Sequence, residues 1–436
     1  PFSSISFFFY FIPLRLGCQV LLYYITNVYG VVTDRIGVCY EATNDFYMAM
    51  QYYRKDLEIS KQLKDSYPEN PDYLRGYSVS LNRIAGIYEA MNQLDDALQY
   101  YQEDFEISKQ LKDSYSENPG YLYDYSISLE RIAGIYKTMN QLDDALQYYQ
   151  EDFEISKQLK DTYPENPDYL RDYSVSLNQI AGIYETMNQL DDALQYYQEA
   201  LEIRKRLKAA YPENPDYLHN YSISLNRIAG IYETMNQLDD ALQYYQEDFE
   251  ISKQLKDTYP ENPDYLRDYS ISLEKLAGIY KTMNQLDDAL QYYQEETEIF
   301  RQLKDAYPEN PSYLCGYSIA LNQIAGIYGT MNRLDDALQY YQEALEIRKR
   351  LKAAYPENPD YLRDYSVSLE KLAEIYESMN QLDGALQYYQ GAFEIFKQLK
   401  DAYPENPDYL RDYSVSLEKI AGIYETMDQL DDALQY

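Results

Sequence analysis

The chain has 436 residues, a formal net charge of -35 and a sequence pI of about 4.3. That excess of carboxylates excludes ordinary nucleic-acid binding, which needs clustered Lys and Arg to meet phosphates. It favours a soluble, self-repelling chain that attracts basic partners. Three cysteines (Cys18, Cys39 and Cys315) make no disulfide framework, and with the single His219 they show no metal-ligand spacing. A reducing, cytoplasmic setting is expected.

Residues 1–28, PFSSISFFFYFIPLRLGCQVLLYYITNV, stand apart from the rest. They hold no acidic residue and one Arg, in a dense apolar run. Pro13 and Arg15 interrupt that run, and a membrane helix needs about 20 apolar residues. Three readings stay open: a signal or membrane segment, a diverged capping helix, or translated non-coding sequence. A membrane partner is expected only on the first of them.

From residue 29 onward the chain repeats. The Asn of "MNQLDDAL" falls at Asn92, Asn140, Asn188, Asn236, Asn284, Asn332 and Asn380, then Asp428 takes its place. Each step is 48 residues, as in 140 - 92. A diverged copy over 29–71, anchored on Asn44, comes first. Seven complete copies fill 72–407, and a truncated one runs over 408–436. With no initiator Met and a stop inside a unit, both ends read as cut.

The copy over 167–214 predicts two helices. Asn166 is a candidate N-cap, Pro167 suits the first helical position, and Asp168 suits the helix dipole. Leu170, Tyr173, Leu177, Ile180, Ala181, Tyr184 and Met187 then recur at helical spacing. Asn188 suits the left-handed stop. The second helix carries Leu190, Ala193, Leu194, Tyr197, Ala200, Leu201, Leu207 and Tyr211. Asp191 and Asp192 sit in its first turn, and Pro212 ends it. Each helix has about 20 residues, roughly 30 Å. One such hairpin cannot bury both stripes, whereas stacked hairpins can. The many tyrosines fall largely on these stripes and read as packing side chains with a wet hydroxyl.

Leu177, Ile180, Ala181, Tyr184, Asn188, Leu190, Ala193, Tyr197 and Ala200 together resemble the tetratricopeptide repeat. The unit is about 14 residues longer than the usual 34, and the usual Pro is displaced to Pro212. "LNRIAGIY" and "ALEIRKRL" resemble the kinesin-light-chain-like branch. The resemblance implies an all-α, right-handed α-solenoid of stacked antiparallel helix hairpins in 48-residue units. It implies a scaffold whose first helices line a concave peptide-binding groove.

Opposite the apolar stripe, the first helix carries Arg171, Val175, Asn178, Gly182 and Glu185 on one face. The copies differ there. The Arg171 slot holds Arg75, Arg267, Arg363 and Arg411, but also Tyr123, His219 and Cys315. The Asn178 slot holds Asn82, Asn226, Asn322 and Glu130, with Glu in three further copies. The next slot is mostly basic: Arg83, Arg131, Arg227, Lys275, Lys371 and Lys419. Asn side chains can hydrogen-bond an extended peptide backbone, and the cations can hold its acidic side chains. A mid-helix Gly such as Gly182 lets a second backbone approach, and Glu374 breaks that series. The bland alternative is a solvated face whose charges pair with one another, although no pairing is obvious along one helix.

No catalytic constellation, phosphate loop or cofactor motif is found. His219 sits in an Arg slot, and Asp191 with Asp192 suits a helix start. The expected function is a non-enzymatic scaffold that binds extended segments of partner proteins. The alternative is a sensor or oligomerisation arm of a larger signalling protein whose catalytic domain lies outside this sequence. Self-association through an uncapped terminal hairpin is a third expectation.

Overall fold

A computed structural model describes residues 30–435. The segment 1–28 lies outside them. The described residues contain helices and turns and no strand. They open on α1 (30–42) and α2 (Phe46–Ser66). First helices then alternate with second helices. The first helices are α3 (Pro71–Ala90), α5 (Pro119–Thr138), α7 (Pro167–Thr186), α9 (Pro215–Thr234), α11 (Pro263–Thr282), α13 (Pro311–Thr330), α15 (Pro359–Ser378) and α17 (Pro407–Thr426). The second helices are α4 (Leu94–Ser114), α6 (Leu142–Thr162), α8 (Leu190–Ala210), α10 (Leu238–Thr258), α12 (Leu286–Ala306), α14 (Leu334–Ala354), α16 (Leu382–Ala402) and the short α18 (Leu430–Ala433).

Local chemistry sets these bounds. Asn166 Oδ1 accepts from the Asp168 N–H at 2.9 Å, and Pro167 opens the helix. At the other end Asn188 is left-handed, with φ 58°. The Asn188 N–H donates to Glu185 O at 2.9 Å and the Gln189 N–H to Tyr184 O at 2.8 Å. Those two bonds form a Schellman motif and satisfy carbonyls that a helix end otherwise leaves bare. The second helix has no side-chain cap; Asp191 and Asp192 favour its positive end instead.

The helices gather into two compact units, one ending at Tyr211 and one starting at Pro212. Inside each unit the order of packing is the order of sequence. In the first, α3 packs on α4, α4 on α5, and so on to α8; in the second, α9 to α18 do the same. The core repeats with the sequence: Ala85, Ala97, Tyr101, Ile132 and Ile135 form one cluster, and Ala133, Ala145, Tyr149, Ile180 and Ile183 form the next. Small Ala on the second helix lets the following first helix close on it. Tyr88 stacks on Tyr100 at 5.6 Å between ring centres, as Tyr136 does on Tyr148. Most tyrosines are thus packing residues. Tyr211 is 42% exposed and stands where the chain leaves the helix.

No described helix is long and apolar enough to cross a membrane.

Candidate functional site

The first-helix face carries two rows of inter-repeat contacts, each joining a residue to one 49 positions on. Arg75 Nε lies 2.6 Å from Asp124 Oδ2, and its terminal nitrogen donates to Oδ1 at 2.9 Å. Arg363 meets Asp412 at 2.6 Å in the same way. His219 Nδ1 is 3.0 Å from Asp268, and Cys315 donates to Asp364 at 3.9 Å. In the second row Arg83 Nε meets Asp34 at 3.1 Å. Burial raises the Glu130 carboxyl pKa, and a hydrogen bond from Gln179 works against it. Part of the pairing therefore runs to the next repeat, and part stays within one helix as i,i+3 pairs.

Several predicted groove cations are thus already answered. Arg75, Arg83 and Arg363 are tied as above. Arg171 turns back onto Asp168 and Asp172, and Arg411 onto Asp408. Lys371 and Lys419 both reach Glu374, at 2.8 and 3.3 Å. Glu374 stands in a glycine slot and takes up both of these cations. Arg131, Arg227, Arg267 and Lys275 are exposed and have no ion pair among the described residues.

The Asn row lies half-buried. Asn178 Nδ2 donates to Ser174 O at 2.7 Å and Asn82 Nδ2 to Ser78 O at 3.3 Å. The Oδ1 atoms of Asn82, Asn178, Asn226 and Asn322 are buried without a hydrogen-bond partner. An unmatched buried acceptor costs free energy, so each is a place where an incoming N–H would gain.

The mid-helix glycines face space. A Cβ on Gly134 or Gly278 would meet nothing within 4 Å, and one on Gly86 only the Tyr101 hydroxyl at 3.9 Å. On Gly182 it would sit 3.6 Å from Lys137 Nζ, an ordinary contact. Packing therefore does not demand glycine, although each costs about 1 kcal/mol of helix stability against Ala. In the first unit this face opens as a cleft of about 560 Å³ between α3 and α5. It brings together Arg75, Asn82, Arg83, Gly86 and Arg131.

Behind this face lies a buried polar layer that the periodicity does not reveal. Asp104, Asp152 and Asp248 on second helices are at most 1% exposed. Ser78 donates to Asp104, Ser126 to Asp152 and Ser222 to Asp248. Ser272, from the next first helix, donates to the other Asp248 oxygen at 2.7 Å. Burial pushes Asp104 and Asp248 up to about 6, against the pull of these serines and of Asn82 and Asn226. Burial, helped by Glu130, pushes Asp152 up to about 7. In two repeats Ala200 and Ala344 replace the Asp, and Arg204 and Arg348 appear one turn later. Arg348 Nε donates to Ser318 Oγ at 3.2 Å and its Nη1 to Ser368 Oγ at 3.0 Å and Asp364 O at 2.8 Å. Burial lowers the Arg204 guanidinium to about 10. The signal was in the copies: Asp goes with Ser four residues on, and Ala with Arg or Phe.

Alternating capped helices, nearest-neighbour packing and an open first-helix face define an α-helical repeat protein of the scaffold class. Tetratricopeptide-repeat models match residues 79–111, 175–207, 223–255 and 319–351, and a second such model matches 34–63 and 368–398. The chain is a tetratricopeptide-repeat protein. Its fold is similar to that of apo RapI, with a TM-score of 0.55 at 15% identity over 93% of this chain and 97% of that one. BtubC from P. vanneervenii aligns at 0.46, with 19% identity over 61% and 93%. The nearly identical TPR-like repeats of a putative kinesin light chain from Podosopora anserina align at 0.42, with 22% identity over 54% and 99%. No curated protein matches in sequence.

Proposed function

We propose that the chain is a non-enzymatic scaffold that binds extended segments of partner proteins along its first-helix face. The observation that carries this reading is the cleft between α3 and α5. There the buried Asn82 Oδ1 has no donor, Arg131 forms no salt bridge among the described residues, and Gly86 leaves room for a second backbone. A peptide N–H would donate to Asn82 Oδ1, and a peptide carboxylate would answer Arg131. The repeated glycines support it further, because their cost to the helix has no return in packing.

The test is a display screen of an unbiased peptide library on the full chain, followed by variants. Gly86→Gln fills the cleft without touching the core, and Arg131→Glu inverts the free charge. Each is expected to weaken a selected peptide at least about tenfold, the worth of one charge-assisted bond, with unchanged helicity. A screen that selects nothing, or peptides that bind both variants as well as the parent, would overturn the reading.

A further inference from the structure

The first repeat breaks the buried-layer pattern in one place. Asp56 is the counterpart of Asp104, Asp152 and Asp248, and it is 9% exposed. Ser80 donates to its Oδ2 at 2.6 Å, as Ser272 does to Asp248. The serine that bonds Oδ1 in each sister repeat is here Gly30. A Cβ on Gly30 would sit 3.2 Å from Asp56 Oδ1. Among the described residues nothing donates to that oxygen. Ser60, one turn on, turns its hydroxyl to Leu57 O at 3.1 Å instead.

A cleft of about 500 Å³ opens where that serine would be, lined from α1, α2 and α3. Gly76 widens it, since the sister residue there is Asp124. Asp34, Asp56 and Asp72 line it and no Lys or Arg does. Arg83 already answers Asp34 at 3.1 Å, and Asp72 lies exposed in the first turn of α3. Asp56 is the buried carboxylate left over. Val31, Ile59 and Leu63 add apolar wall beside it. The same layer accommodates a guanidinium elsewhere, where Arg348 lies between Ser318 and Ser368.

We propose that this cleft binds an organic cation, an ammonium or guanidinium group on a short apolar stem, with Asp56 Oδ1 as its acceptor. A buried carboxylate oxygen gains most from a donor that also carries positive charge. The apolar wall takes the stem, and Ser80 holds the other oxygen in place. The site stands on the missing serine.

Calorimetry on the full chain at low salt tests it, with n-butylguanidinium, n-butylammonium and the neutral n-butylurea as probes. Saturable binding of either cation is expected, with the urea at least about tenfold weaker, the loss of one charge-assisted bond. Gly30→Ser supplies the sister hydroxyl and leaves the net charge at -35. It should lower cation affinity by a similar factor while the melting temperature holds or rises. Asp56→Asn should do likewise. A peptide carrying one blocked arginine separates sources: equal or tighter binding assigns the site to a partner's side chain, and weaker binding to a free amine. No saturation with either cation, or equal affinity in Gly30→Ser, overturns the proposal. General attraction to an acidic surface would survive both substitutions, so it is told apart from the site.

Discussion

The hairpins α5–α6 and α13–α14 hold opposite charges in the same buried place. In the first, Ser126 turns its hydroxyl toward Asp152 and donates. In the second, Ser318 donates to Cys315 O at 2.8 Å and accepts from Arg348 Nε at 3.2 Å. The α7–α8 hairpin repeats the second arrangement, with Ser174 donating to Arg171 O at 2.7 Å and accepting from Arg204 at 3.3 Å. A hydroxyl is both donor and acceptor and rotates to suit. One serine can therefore serve a carboxylate or a guanidinium with no change of backbone. The difference teaches that this layer is specified by polarity matching, and that the sign of the charge is free provided the neighbouring slot changes with it.

The comparison is most sharply broken by changing half of a pair. Arg348→Ser beside Ala344 removes three hydrogen bonds and leaves a cavity, at a cost of about 3 kcal/mol. Adding Ala344→Asp recreates the sister pattern and should recover stability to within about 1 kcal/mol of the parent. Urea denaturation followed by circular dichroism reads both. A double variant no better than the single one would show that the two patterns are not interchangeable.

A second effect comes from pH. An unfolded Asp titrates near 3.9, whereas Asp104 and Asp248 are raised to about 6 and Asp152 to about 7. The folded chain then binds more protons than the unfolded one between about pH 4 and 7, so stability grows as pH falls through that window. The contribution is complete below the unfolded value and lost on rising through 6 to 7. The triple variant Asp104→Asn, Asp152→Asn, Asp248→Asn should melt with a flatter pH dependence over that range. Relief of surface repulsion acts in both chains and cancels in the difference. Equal slopes would mean that these carboxylates titrate normally.

The smallest effect separates the two kinds of serine. Ser126→Ala strips the donor from a buried carboxylate and should cost about 1–2 kcal/mol at pH 8. Ser318→Ala leaves Arg348 its bonds to Ser368 and Asp364, and should cost about 0.5–1 kcal/mol. Melting at pH 8 and pH 5 checks the sign. The Ser126 deficit should shrink at the lower pH, where Asp152 is protonated, and the Ser318 deficit should not. Deficits that respond alike to pH would sink the rotor account.

Much of the fold was legible because its determinants are local. Asn166, Pro167 and Asn188 each act through backbone groups within three or four residues, so their roles can be read in one repeat. The candidate site was legible in its face but not in its partners. Asn82 and Gly86 share a helical face by spacing, Arg131 holds the adjacent slot one repeat on, and the structure brings all three into one cleft. Arg75 and Asp124 are neighbours only because consecutive first helices lie side by side. Asp152 was the least legible of all. A carboxylate in the middle of an apolar stripe looks like an interruption, and the copy over 167–214 has Ala200 there. Tyr211 failed in the opposite direction, since periodicity continues in sequence after the helix has ended.

The 49-residue offset of the surface pairs has a genetic consequence. Each pair joins a repeat only to its successor, and the acceptor slot holds Asp124, Asp172, Asp268, Asp364 and Asp412, with Asn220 and Gly316 as exceptions. Excising one period between Arg75 and Asp172 would set that guanidinium opposite an aspartate again, in place of Asp124. Unequal recombination between near-identical coding stretches can therefore lengthen or shorten this array in whole periods and keep the charge pair wherever the successor carries Asp in that slot. The number of repeats becomes a heritable variable that selection can tune separately from the sequence of any one of them.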